Sequence, residues 1–595
     1  MTTNEKIAQL RTFMAERGVQ AYVVPSSDPH MGEYLPERWQ TRSYLSGFTG
    51  SAGTLIVTHN ASALWTDGRY FIQAQRQLQG SEIELMRMGV PGTPTFSEYL
   101  LSQLDAGAAI GLEGMVVSTA MVRELEKGCK AKSLAIADLP FPDAVWPRRP
   151  AAPATPAWEL EGRYAGFPAA EKVEQLRERL GKAGADAMVV TRLDDVAWLL
   201  NARADDIAHN PYLLSFAIVT ARGAQVYTAA HRVVPALRSS LEHQGFVLEE
   251  YDALLEDIAA LEGPAAFLVD VSSTSYAIYR ALLGNKSLSL VEGDDPIQDM
   301  KSVKSAVEIE NLIRAHVKDG CAMVRFQMDL ERALAAGDPV SEVEVAELVL
   351  RRRREQSEFI GPSFGSIAAY GPNAAMMHYA PQPETAAALE KRGFLLLDCG
   401  GQYLDGTTDI TRTYALGQPT QEEKEYYTLV LKAHINLARA VFLEGCSGGN
   451  LDILCRDVFW KRGLDYRCGT GHGVGFVGGV HEGPHSLRVS NNYPFKAGML
   501  VTDEPGIYEE GKLGIRIENE LLCVEAMTTE YGKFLAFEPV TFCPIDTTAL
   551  LVESLSSEQL DWLNAYHETV YQKLLGHLTA EEQAWLREKC KKLGA

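Results

Sequence analysis

Hydrophobic positions near the beginning of the chain follow the period of an amphipathic helix. Ile7, Leu10 and Met14 share one helical face, and Gly18 follows where such a helix would end. Next comes AYVV at residues 21–24, a short apolar run. This pattern predicts a helix followed by a buried strand, which is a typical opening of an α/β domain.

The same order of patterns occurs a second time. EKIAQLR at residues 5–11 reappears as EKVEQLR at 171–177, and AYVV reappears as AMVV at 187–190 with the same displacement. Matches in one order and at one spacing are not expected by chance. We therefore predict an internal duplication that forms two related α/β domains, over residues 1–150 and 156–298, each of ordinary domain size.

From about residue 299 the hydrophobic pattern changes, which predicts a third domain over residues 299–595. Long helical patterns alternate there with short apolar runs. Helices are predicted around residues 306–335, 341–355, 420–442 and 449–462, and strands around 394–399, 408–415, 499–504 and 514–524. The predicted fold class is α/β in the broad sense that includes α+β.

Two local patterns predict the connection between the first two domains and the last helix of the chain. Residues 141–158 are dense in proline and alanine, which predicts a stiff, extended linker. Near the C-terminal end, Ser556 and Gln559 form a predicted capping box ahead of a helical pattern. We assign that last helix to packing and not to chemistry.

Composition narrows the class of protein and its partners. The chain has 595 residues, 46% of them hydrophobic, and a mean hydropathy of −0.11, which is typical of a soluble globular protein of about two to four domains. Lys and Arg total 56 against 78 Asp and Glu, a net charge of −22. This excess of acid argues against nucleic acid or an anionic membrane as a partner.

Targeting signals and cysteine spacing indicate a cytoplasmic protein. The N-terminal residues lack the apolar core of a secretory signal, and no uncharged run has the length of a membrane span. The nine cysteines are scattered and form no CxxC pair. Reduced thiols are therefore expected, and not a disulfide framework.

Five residues of the third domain are candidate metal ligands: Asp398, Asp409, His472, Glu504 and Glu518. Four carboxylates and one imidazole suit two divalent cations that share bridging oxygens and a bridging water. A solvated surface position is the ordinary alternative for any one carboxylate. Each of these residues, however, lies in or beside an apolar run, where an unpaired charge is costly.

Arg516 is a candidate for holding the charge and orientation of a ligand. It stands two residues before Glu518 in what we predict to be the last strand, so the two side chains share a face. The alternative is a simple salt bridge on an exposed strand. Ile515 and Ile517 on the opposite face make that alternative less favourable.

Two pattern matches near His472 are set aside. HEGPH at residues 481–485 fits the zinc-protease string, but glycine and proline between the histidines break the helix that this motif requires. GVGFVG at 473–478 lacks the strand and helix of a dinucleotide site. We interpret the glycines around His472 as backbone that approaches a metal closely.

His378 and His481 are further candidates for the site. Both lie in segments punctuated by glycine or proline that flank the candidate ligands. A lone histidine is more often a satisfied core or surface residue. In the site, neutral imidazoles would hydrogen-bond a scissile carbonyl or a tetrahedral oxyanion.

These residues lie within recognisable segments. The candidate ligands and their neighbours lie in DGTTD, GTGHG, VHEGP, TDEPG and GIRIEN, in this order. Earlier segments include SGFTGSAGT at 46–54, WTDGRYF at 65–71, LDDVAWLLNARADDIAHNP at 193–211 and GPNAAMMHYAP at 371–381. Over nearly its whole length the chain resembles the aminopeptidase P (Xaa-Pro aminopeptidase) family in its cytosolic, three-domain form, within the pita-bread metallopeptidases.

The resemblance implies a fold and an activity. Two creatinase-type N-terminal α/β domains would precede a pita-bread metallopeptidase domain. The reaction would be hydrolysis of the first peptide bond of peptides with proline at position 2, through a hydroxide that bridges two metal ions. Mn²⁺ is the expected metal, and a homodimer is the expected assembly.

The resemblance also implies how the ligands are shared. Asp398 and Asp409 would bind one ion. Asp409, His472, Glu504 and Glu518 would bind the other, with Asp409 and Glu518 bridging the two.

Substrate contacts follow from the same resemblance. His378 and His481 resemble the family's substrate-binding and transition-state histidines, and Glu504 would shuttle the proton. One departure concerns Cys468, which stands four residues before His472, where the family usually has a histidine. Cys468 is therefore a candidate substrate-binding residue with an altered role near the proline pocket, and it would also make the site sensitive to oxidation.

Three other functions remain as alternatives. A prolidase has the same metal set, but the duplicated N-terminal half argues against it. Metal-free hydrolysis of the creatinase type is disfavoured because all five ligands are present. A peptide-binding module that has lost catalysis is the non-enzymatic alternative.

Overall fold

The computed structural model describes residues 1–594, which divide into two compact units. The first comprises Met1–Leu160 with Phe167–Ile297, and the second comprises Glu161–Gly166 with the chain from Gln298 onwards. The two predicted N-terminal domains lie in the first unit, apart from Glu161–Gly166 and Gln298, which belong to the second. The division between those two domains stays a prediction.

Both units contain helices and strands. The helices are α1 (Thr3–Arg17), α2 (Thr41–Ser46), α3 (Phe71–Gln77), α4 (Phe96–Gln103), α5 (Thr119–Cys129), α6 (Gly162–Ala165), α7 (Ala169–Lys182), α8 (Leu193–Leu200), α9 (Pro235–His243), α10 (Leu254–Ala260), α11 (Tyr276–Gly284), α12 (Pro296–Ser302), α13 (Ala306–Ala336), α14 (Glu342–Arg354), α15 (Gln421–Ala438), α16 (Gly448–Leu451), α17 (Ile453–Trp460), α18 (Ser557–Leu574) and α19 (Ala580–Lys589).

The strands of the first unit are β1 (Ala21–Pro25), β2 (Thr54–Thr58), β3 (Ser62–Thr66), β4 (Ile83–Arg87), β5 (Ala109–Leu112), β6 (Ala135–Asp138), β7 (Trp158–Glu159), β8 (Ala187–Val190), β9 (Ala202–Arg203), β10 (Phe216–Thr220), β11 (Ala224–Tyr227), β12 (Phe246–Glu249), β13 (Ala265–Val269) and β14 (Leu288–Glu292). Those of the second unit are β15 (Phe359–Pro362), β16 (Ile367–Tyr370), β17 (Phe394–Cys399), β18 (Gly401–Tyr403), β19 (Gly406–Thr407), β20 (Ile410–Ala415), β21 (Val441–Leu443), β22 (Gly471–Gly473), β23 (Glu482–Leu487), β24 (Leu500–Asp503), β25 (Gly506–Glu509), β26 (Leu513–Arg516), β27 (Asn519–Thr529) and β28 (Gly532–Pro539).

The predicted duplication is confirmed by two six-stranded sheets of the same topology. Their orders are β4-β3-β2-β1-β5-β6 and β12-β11-β10-β8-β13-β14. The first strand of each copy, β1 or β8, pairs antiparallel with β2 or β10 and parallel with β5 or β13. Similar sequence patterns have therefore produced the same mixed sheet twice.

The local signals at the chain start act as predicted. Ile7, Leu10 and Met14 are fully buried on one face of α1, and burying a large aliphatic side chain contributes about 1.5–3 kcal/mol. Thr2 and Glu5 cap the helix reciprocally. The helix ends at Gly18, whose φ of 66° is the left-handed value that glycine tolerates best.

The predicted extended linker is wrong over its first half. Phe141 and Val145 are buried in the first copy's core, and Trp146 stacks on Tyr44 with ring centroids 4.3 Å apart. These aromatic and aliphatic side chains bind residues 141–146 to the domain, because packing outweighs the extended preference of proline.

The second unit is built on antiparallel sheets. One has the order β21-β28-β27-β24-β22-β23, and another has the order β16-β17-β20. Val501 and Leu521 of the larger sheet belong to the same core cluster as Ile435 of α15 and Val570 of α18. The predicted capping box at Ser556 is confirmed, since it exchanges hydrogen bonds of 3.0 and 3.2 Å with Gln559.

Several predicted elements of this unit end elsewhere. The helix predicted to residue 442 stops at Ala438 and is followed by strand β21, while the helix predicted over 449–462 is divided into α16 and α17. The strand predicted over 514–524 is also divided, because the N–H of Glu518 binds the carbonyl of Thr411 at 3.1 Å and not a strand partner of its own sheet. The chain changes there from the β25–β26 hairpin to the large sheet, and β28 is the last strand.

No helix within residues 1–594 is both long and apolar enough to cross a bilayer. All nine cysteines are free thiols.

Candidate metal centre

Two neighbouring antiparallel strands bring Asp398 and Asp409 together. Asp398 lies in β17, the middle strand of its sheet, and pairs in register with Thr411 of β20. Asp409 comes directly before β20. Because β17 runs towards the point from which β20 starts, both carboxylates lie at the same end of the ladder. Asp398 is 7% exposed and Asp409 is 4% exposed, so both are buried.

The other three candidate ligands come from the large sheet and its edge. His472 is the middle residue of β22, and Glu504 follows the last residue of β24. Glu518 lies in the short break between β26 and β27 and is 1% exposed. The predicted ligands are thus strand residues or direct neighbours of strands.

The imidazole of His472 faces the carboxylates. Its Nε2 lies 3.6 Å from Oδ2 of Asp409 and 3.6 Å from Oε1 of Glu504. Its Nδ1 lies 3.1 Å from the carbonyl oxygen of Gly473. Because that oxygen can only accept, Nδ1–H donates to it, and the lone pair of Nε2 points towards the acids. One ligand atom each from Asp409, His472 and Glu518 lies within 4.8 Å of the other two.

Burial and mutual repulsion perturb the acids. Burial raises the pKa of Asp409 well above its usual value, and the charges of Glu518 and Asp398 raise it further. Burial followed by the charge of Asp398 does the same to the pKa of Glu518. Burial also raises the pKa of Glu504 to about 7, against the lowering effect of the Arg516 guanidinium.

Among the candidate ligands, two buried carboxylate oxygens have no hydrogen-bond donor in the described part of the chain. They are Oδ1 of Asp398 and Oδ1 of Asp409. Buried polar atoms are nearly always satisfied, so a missing partner calls for an explanation. Divalent cations would supply that partner and would balance the acidic charge. The donor set, its burial and its open oxygens therefore fit such ions.

Arg516 is enclosed by the site. Its guanidinium donates to Oδ2 of Asp398 at 2.5 Å, to the hydroxyl of Thr411 at 3.1 Å and to the hydroxyl of Tyr508 at 2.7 Å. Its Nε lies 4.0 Å from Glu504. Arg516 is 3% exposed, which excludes the alternative of a salt bridge on an exposed strand.

The two further histidines lie next to the cluster. The ring of His481 meets that of His472 edge-on, with centroids 4.3 Å apart. His378 lies in a turn, partly buried, and the carbonyl of Met377 beside it accepts a hydrogen bond of 3.4 Å from Arg516. Both histidines are therefore adjacent to residues of the candidate site.

Cys468 lies within electrostatic range of the cluster. Burial raises the pKa of its thiol to about 12, the negative charge of Glu504 raises it, and Arg516 lowers it. A thiol that stays protonated at neutral pH is a poor nucleophile. The raised pKa therefore argues against the predicted sensitivity to oxidation.

Known sequence families match nearly the whole chain. Two models described as Creatinase/Prolidase N-terminal domain match residues 6–140 and 148–308. Metallopeptidase family M24 matches residues 310–525, and the C-terminal region of peptidase M24 matches residues 533–593. The two N-terminal matches correspond to the two similar sheets.

Curated relatives are similar from end to end. The probable Xaa-Pro aminopeptidase P of Laccaria bicolor is 39% identical, with 100% of this chain and 94% of that protein covered. The chain belongs to the aminopeptidase P family. Aminopeptidase P2 of Arabidopsis thaliana is 37% identical, with 98% of this chain and 88% of that protein covered.

One solved structure is similar to this chain over its full length, whereas a shorter relative is similar over only part of it. The X-prolyl aminopeptidase of Caenorhabditis elegans, described as a cytosolic enzyme with a di-nuclear active site, is 35% identical and has a TM-score of 0.94 over 100% of both chains. The Xaa-Pro dipeptidase of Bacillus anthracis is 26% identical and has a TM-score of 0.51. It covers only 64% of this chain but 99% of its own. The two creatinase-type sheets and the pita-bread unit together are thus the aminopeptidase P architecture.

Sequence reasoning missed three polar residues of this aminopeptidase P site. The hydroxyl of Thr411 donates to Oε2 of Glu518 at 2.7 Å. Oε1 of Glu520 accepts from the N–H of Asp409 at 2.6 Å. Tyr508 is the third, as a partner of Arg516. The only sequence signal for Thr411 and Glu520 is their spacing, two residues after a candidate ligand.

Both excluded motifs are also absent from the structure as functional units. His481 precedes strand β23 and His485 lies within it, so the pair does not occupy one helical turn. Residues 474–481 form a loop that leads into a strand and not into a helix. The close approach at Gly471 is to backbone, since a Cβ there would lie 1.8 Å from the carbonyl of Thr502. This packing accounts for the glycine at residue 471, and the interpretation that the glycines around His472 approach a metal stays a prediction.

Proposed function

We propose that the chain is a metal-dependent aminopeptidase that hydrolyses the N-terminal Xaa-Pro bond of peptides. The observation that carries the proposal is the convergence of three buried carboxylates, Asp398, Asp409 and Glu518, with the partly buried His472 and Glu504. One oxygen each of Asp398 and Asp409 lacks a donor. Relatives named Xaa-Pro aminopeptidase P, similar over the full length, supply the substrate class.

The five residues would hold two divalent cations, with Mn²⁺ as our proposed metal. Asp398 and Asp409 would hold one, and Asp409, His472, Glu504 and Glu518 the other, with Asp409 and Glu518 shared. Bound cations would supply a bridging hydroxide at neutral pH and would polarise the scissile carbonyl.

The protein's own groups would orient the reaction and move the proton. Glu504 lies beside both His472 and Arg516 and would accept a proton from water and return it to the leaving nitrogen. Arg516 would hold the Asp398 carboxylate in place through its hydrogen bond. His378 and His481 would donate hydrogen bonds to the scissile carbonyl or to the tetrahedral oxyanion.

The chemistry of an Xaa-Pro peptide suits such a site. Its first peptide bond is a tertiary amide, and the pyrrolidine ring fixes φ, so general aminopeptidases fit it poorly. The acidic cluster would attract the free α-ammonium group of the substrate. Cys468 would lie near the proline ring, where a thiol provides a smaller surface than the family's usual histidine.

Kinetics on Arg-Pro-Pro peptides with defined metals test this proposal. Hydrolysis should yield free arginine, disappear with EDTA and return with Mn²⁺. Activity that is indifferent to both would contradict the metal mechanism, and binding without hydrolysis would favour the peptide-binding module. Comparison of Xaa-Pro with Xaa-Pro-Yaa separates the two enzymes, since a prolidase prefers the dipeptide.

We also propose a cytoplasmic homodimer, as the family resemblance implies. Size-exclusion chromatography with light scattering would measure the mass in solution. A monomeric mass, set against the 65.3 kDa of one chain, would contradict the dimer.

A further inference from the structure

A buried carboxylate outside the ligand set collects hydrogen bonds from one segment of the chain. Glu342 begins α14 and is 0% exposed. Its Oε1 accepts from the backbone N–H of Tyr370 at 2.6 Å and from the amide of Asn373 at 3.0 Å. Its Oε2 accepts from the hydroxyl of Tyr379 at 2.8 Å, from Asn373 at 3.1 Å and from the backbone N–H of Ala387 at 2.7 Å.

All of these donors lie within residues 370–387, and His378 lies between them. Tyr370 and Asn373 precede it, and Tyr379 and Ala387 follow it. Between strands β16 and β17 this segment consists of a short 3-10 helix, Gly371–Ala375, followed by turns and irregular backbone, so it lacks strand pairing over most of its length. Its conformation therefore depends on the carboxylate that its donors share.

The opposite side of the segment rests on the candidate metal centre. The carbonyl of Met377 accepts from Arg516, whose guanidinium also binds Asp398. A Cβ at Gly514 would lie 1.9 Å from the carbonyl of Ala374, so the segment packs directly on β26. Residues 370–387 are thus held between Glu342 on one side and the strand that carries Arg516 on the other.

We propose that Glu342 is a positioning residue that sets the place of His378 relative to the metal ligands. This inference rests on the proposed function, because it assigns His378 a contact with the substrate. A carboxylate can accept from all four groups at once, whereas an amide cannot. One backbone N–H binds each oxygen, so either orientation of a glutamine at 342 would direct an NH₂ group at a backbone donor.

Glu342→Gln tests the proposal against a matched control on the same helical turn. The Glu344 carboxylate accepts from the N–H of Ser341 at 2.6 Å as part of a capping box, and glutamine preserves that bond. Glu342→Gln should lower kcat for an Xaa-Pro-Yaa peptide by about tenfold or more, since small misplacements of a reacting group are costly. Glu344→Gln should stay within about twofold, and bound metal should be unchanged in both.

A double-mutant cycle shows whether Glu342 acts through His378. In a His378→Ala background, the added Glu342→Gln change should have almost no further effect on kcat, because the residue it positions is gone. Multiplicative losses would overturn the proposal. Tyr379→Phe removes one donor without altering the charge, and its smaller loss should vanish in the same background.

Hydrogen exchange provides a readout that does not need activity. Amide exchange of residues 370–387 should accelerate in Glu342→Gln and not in Glu344→Gln. Unchanged exchange in folded Glu342→Gln overturns the proposal. If the unaltered enzyme fails to hydrolyse Xaa-Pro peptides, the proposed function fails as well. If the unaltered enzyme is active but the losses of kcat from His378→Ala and Glu342→Gln multiply in the double variant, only the positioning role is contradicted.

Discussion

Replacing Asp409 by asparagine should affect the metal-free and metal-bound proteins in opposite directions. Asp409 is 4% exposed, and its Oδ1 has no donor. Burial and the nearby charge of Glu518 raise its pKa, so the ionised form destabilises the metal-free fold. An amide carries no charge and can donate to a neighbouring carboxylate. We expect the metal-free variant to be more stable than the unaltered protein by about 1–3 kcal/mol.

Bound metal should stabilise the unaltered protein much more than it stabilises Asp409→Asn. A ligand at about 100 times its Kd contributes about 2.7 kcal/mol. At about 2 °C per kcal/mol for a large domain, the melting temperature should rise by about 5 °C with Mn²⁺. Asp409→Asn lacks the bridging charge, so its melting temperature should rise by less than about 2 °C.

Asp405→Asn is the matched control for this experiment. Asp405 is also buried, but it binds Nζ of Lys318 at 2.7 Å and lies outside the candidate ligand set. Asp405→Asn should leave the metal-induced rise in the melting temperature intact, because Asp405 lies outside the candidate ligand set. Differential scanning calorimetry in EDTA and in Mn²⁺ measures all three proteins. An Asp409→Asn protein that is destabilised in EDTA, or that keeps the full rise with Mn²⁺, would refute the reasoning.

Three further predictions follow from single contacts. The pKa of Glu504 is about 7 in the metal-free folded protein, against 4.5 ordinarily, so between these values the folded protein holds a proton that the unfolded chain releases. The stability of the metal-free protein should therefore fall as pH rises from about 5 to 7. Calorimetry in EDTA on the unaltered protein and on Glu504→Gln checks this, and equal pH slopes for the two proteins would contradict it. Cys468→His should retain activity and change KM for an Xaa-Pro peptide, and an unchanged KM would place residue 468 outside the pocket. Thr411→Val removes the hydroxyl that donates to Glu518 and accepts from Arg516, so metal affinity should fall about 10–100-fold. A metal titration followed by activity measures this. A metal affinity within twofold of that of the unaltered protein would show that these bonds are dispensable.

Local patterns were sufficient to predict the duplicated half of the fold. The helical period of Ile7, Leu10 and Met14 and the apolar runs at 21–24 and 187–190 each depend on neighbours in sequence. Local signals of this kind determine a helix or a buried strand directly. The same signals occur twice, so a correct prediction for one copy was correct for the other.

Elements whose boundaries depend on distant partners were not predictable in this way. Glu518 lies in a continuous apolar pattern, yet the strand breaks there because its N–H binds Thr411, more than a hundred residues earlier in the chain. Strand β21 was missed because three residues, of which only Phe442 is buried, look like the end of a helix. Periodicity reveals a buried face but does not reveal which sheet provides the partner strand.

The candidate ligands stood out because charged residues beside apolar runs are unusual. Residues that support them carry no such signal. Glu342 lies in an ordinary-looking helix start, and Glu520 stands two residues after Glu518 with no pattern that distinguishes it. Their importance arises from hydrogen bonds to segments far away in sequence, which only the folded chain brings within reach.

An anomalous difference map from crystals grown with Mn²⁺ tests the central claim most directly. Two peaks about 3.5–4 Å apart are expected, both enclosed by Asp398, Asp409, His472, Glu504 and Glu518. A single peak, or peaks that lie away from these five side chains, would contradict it.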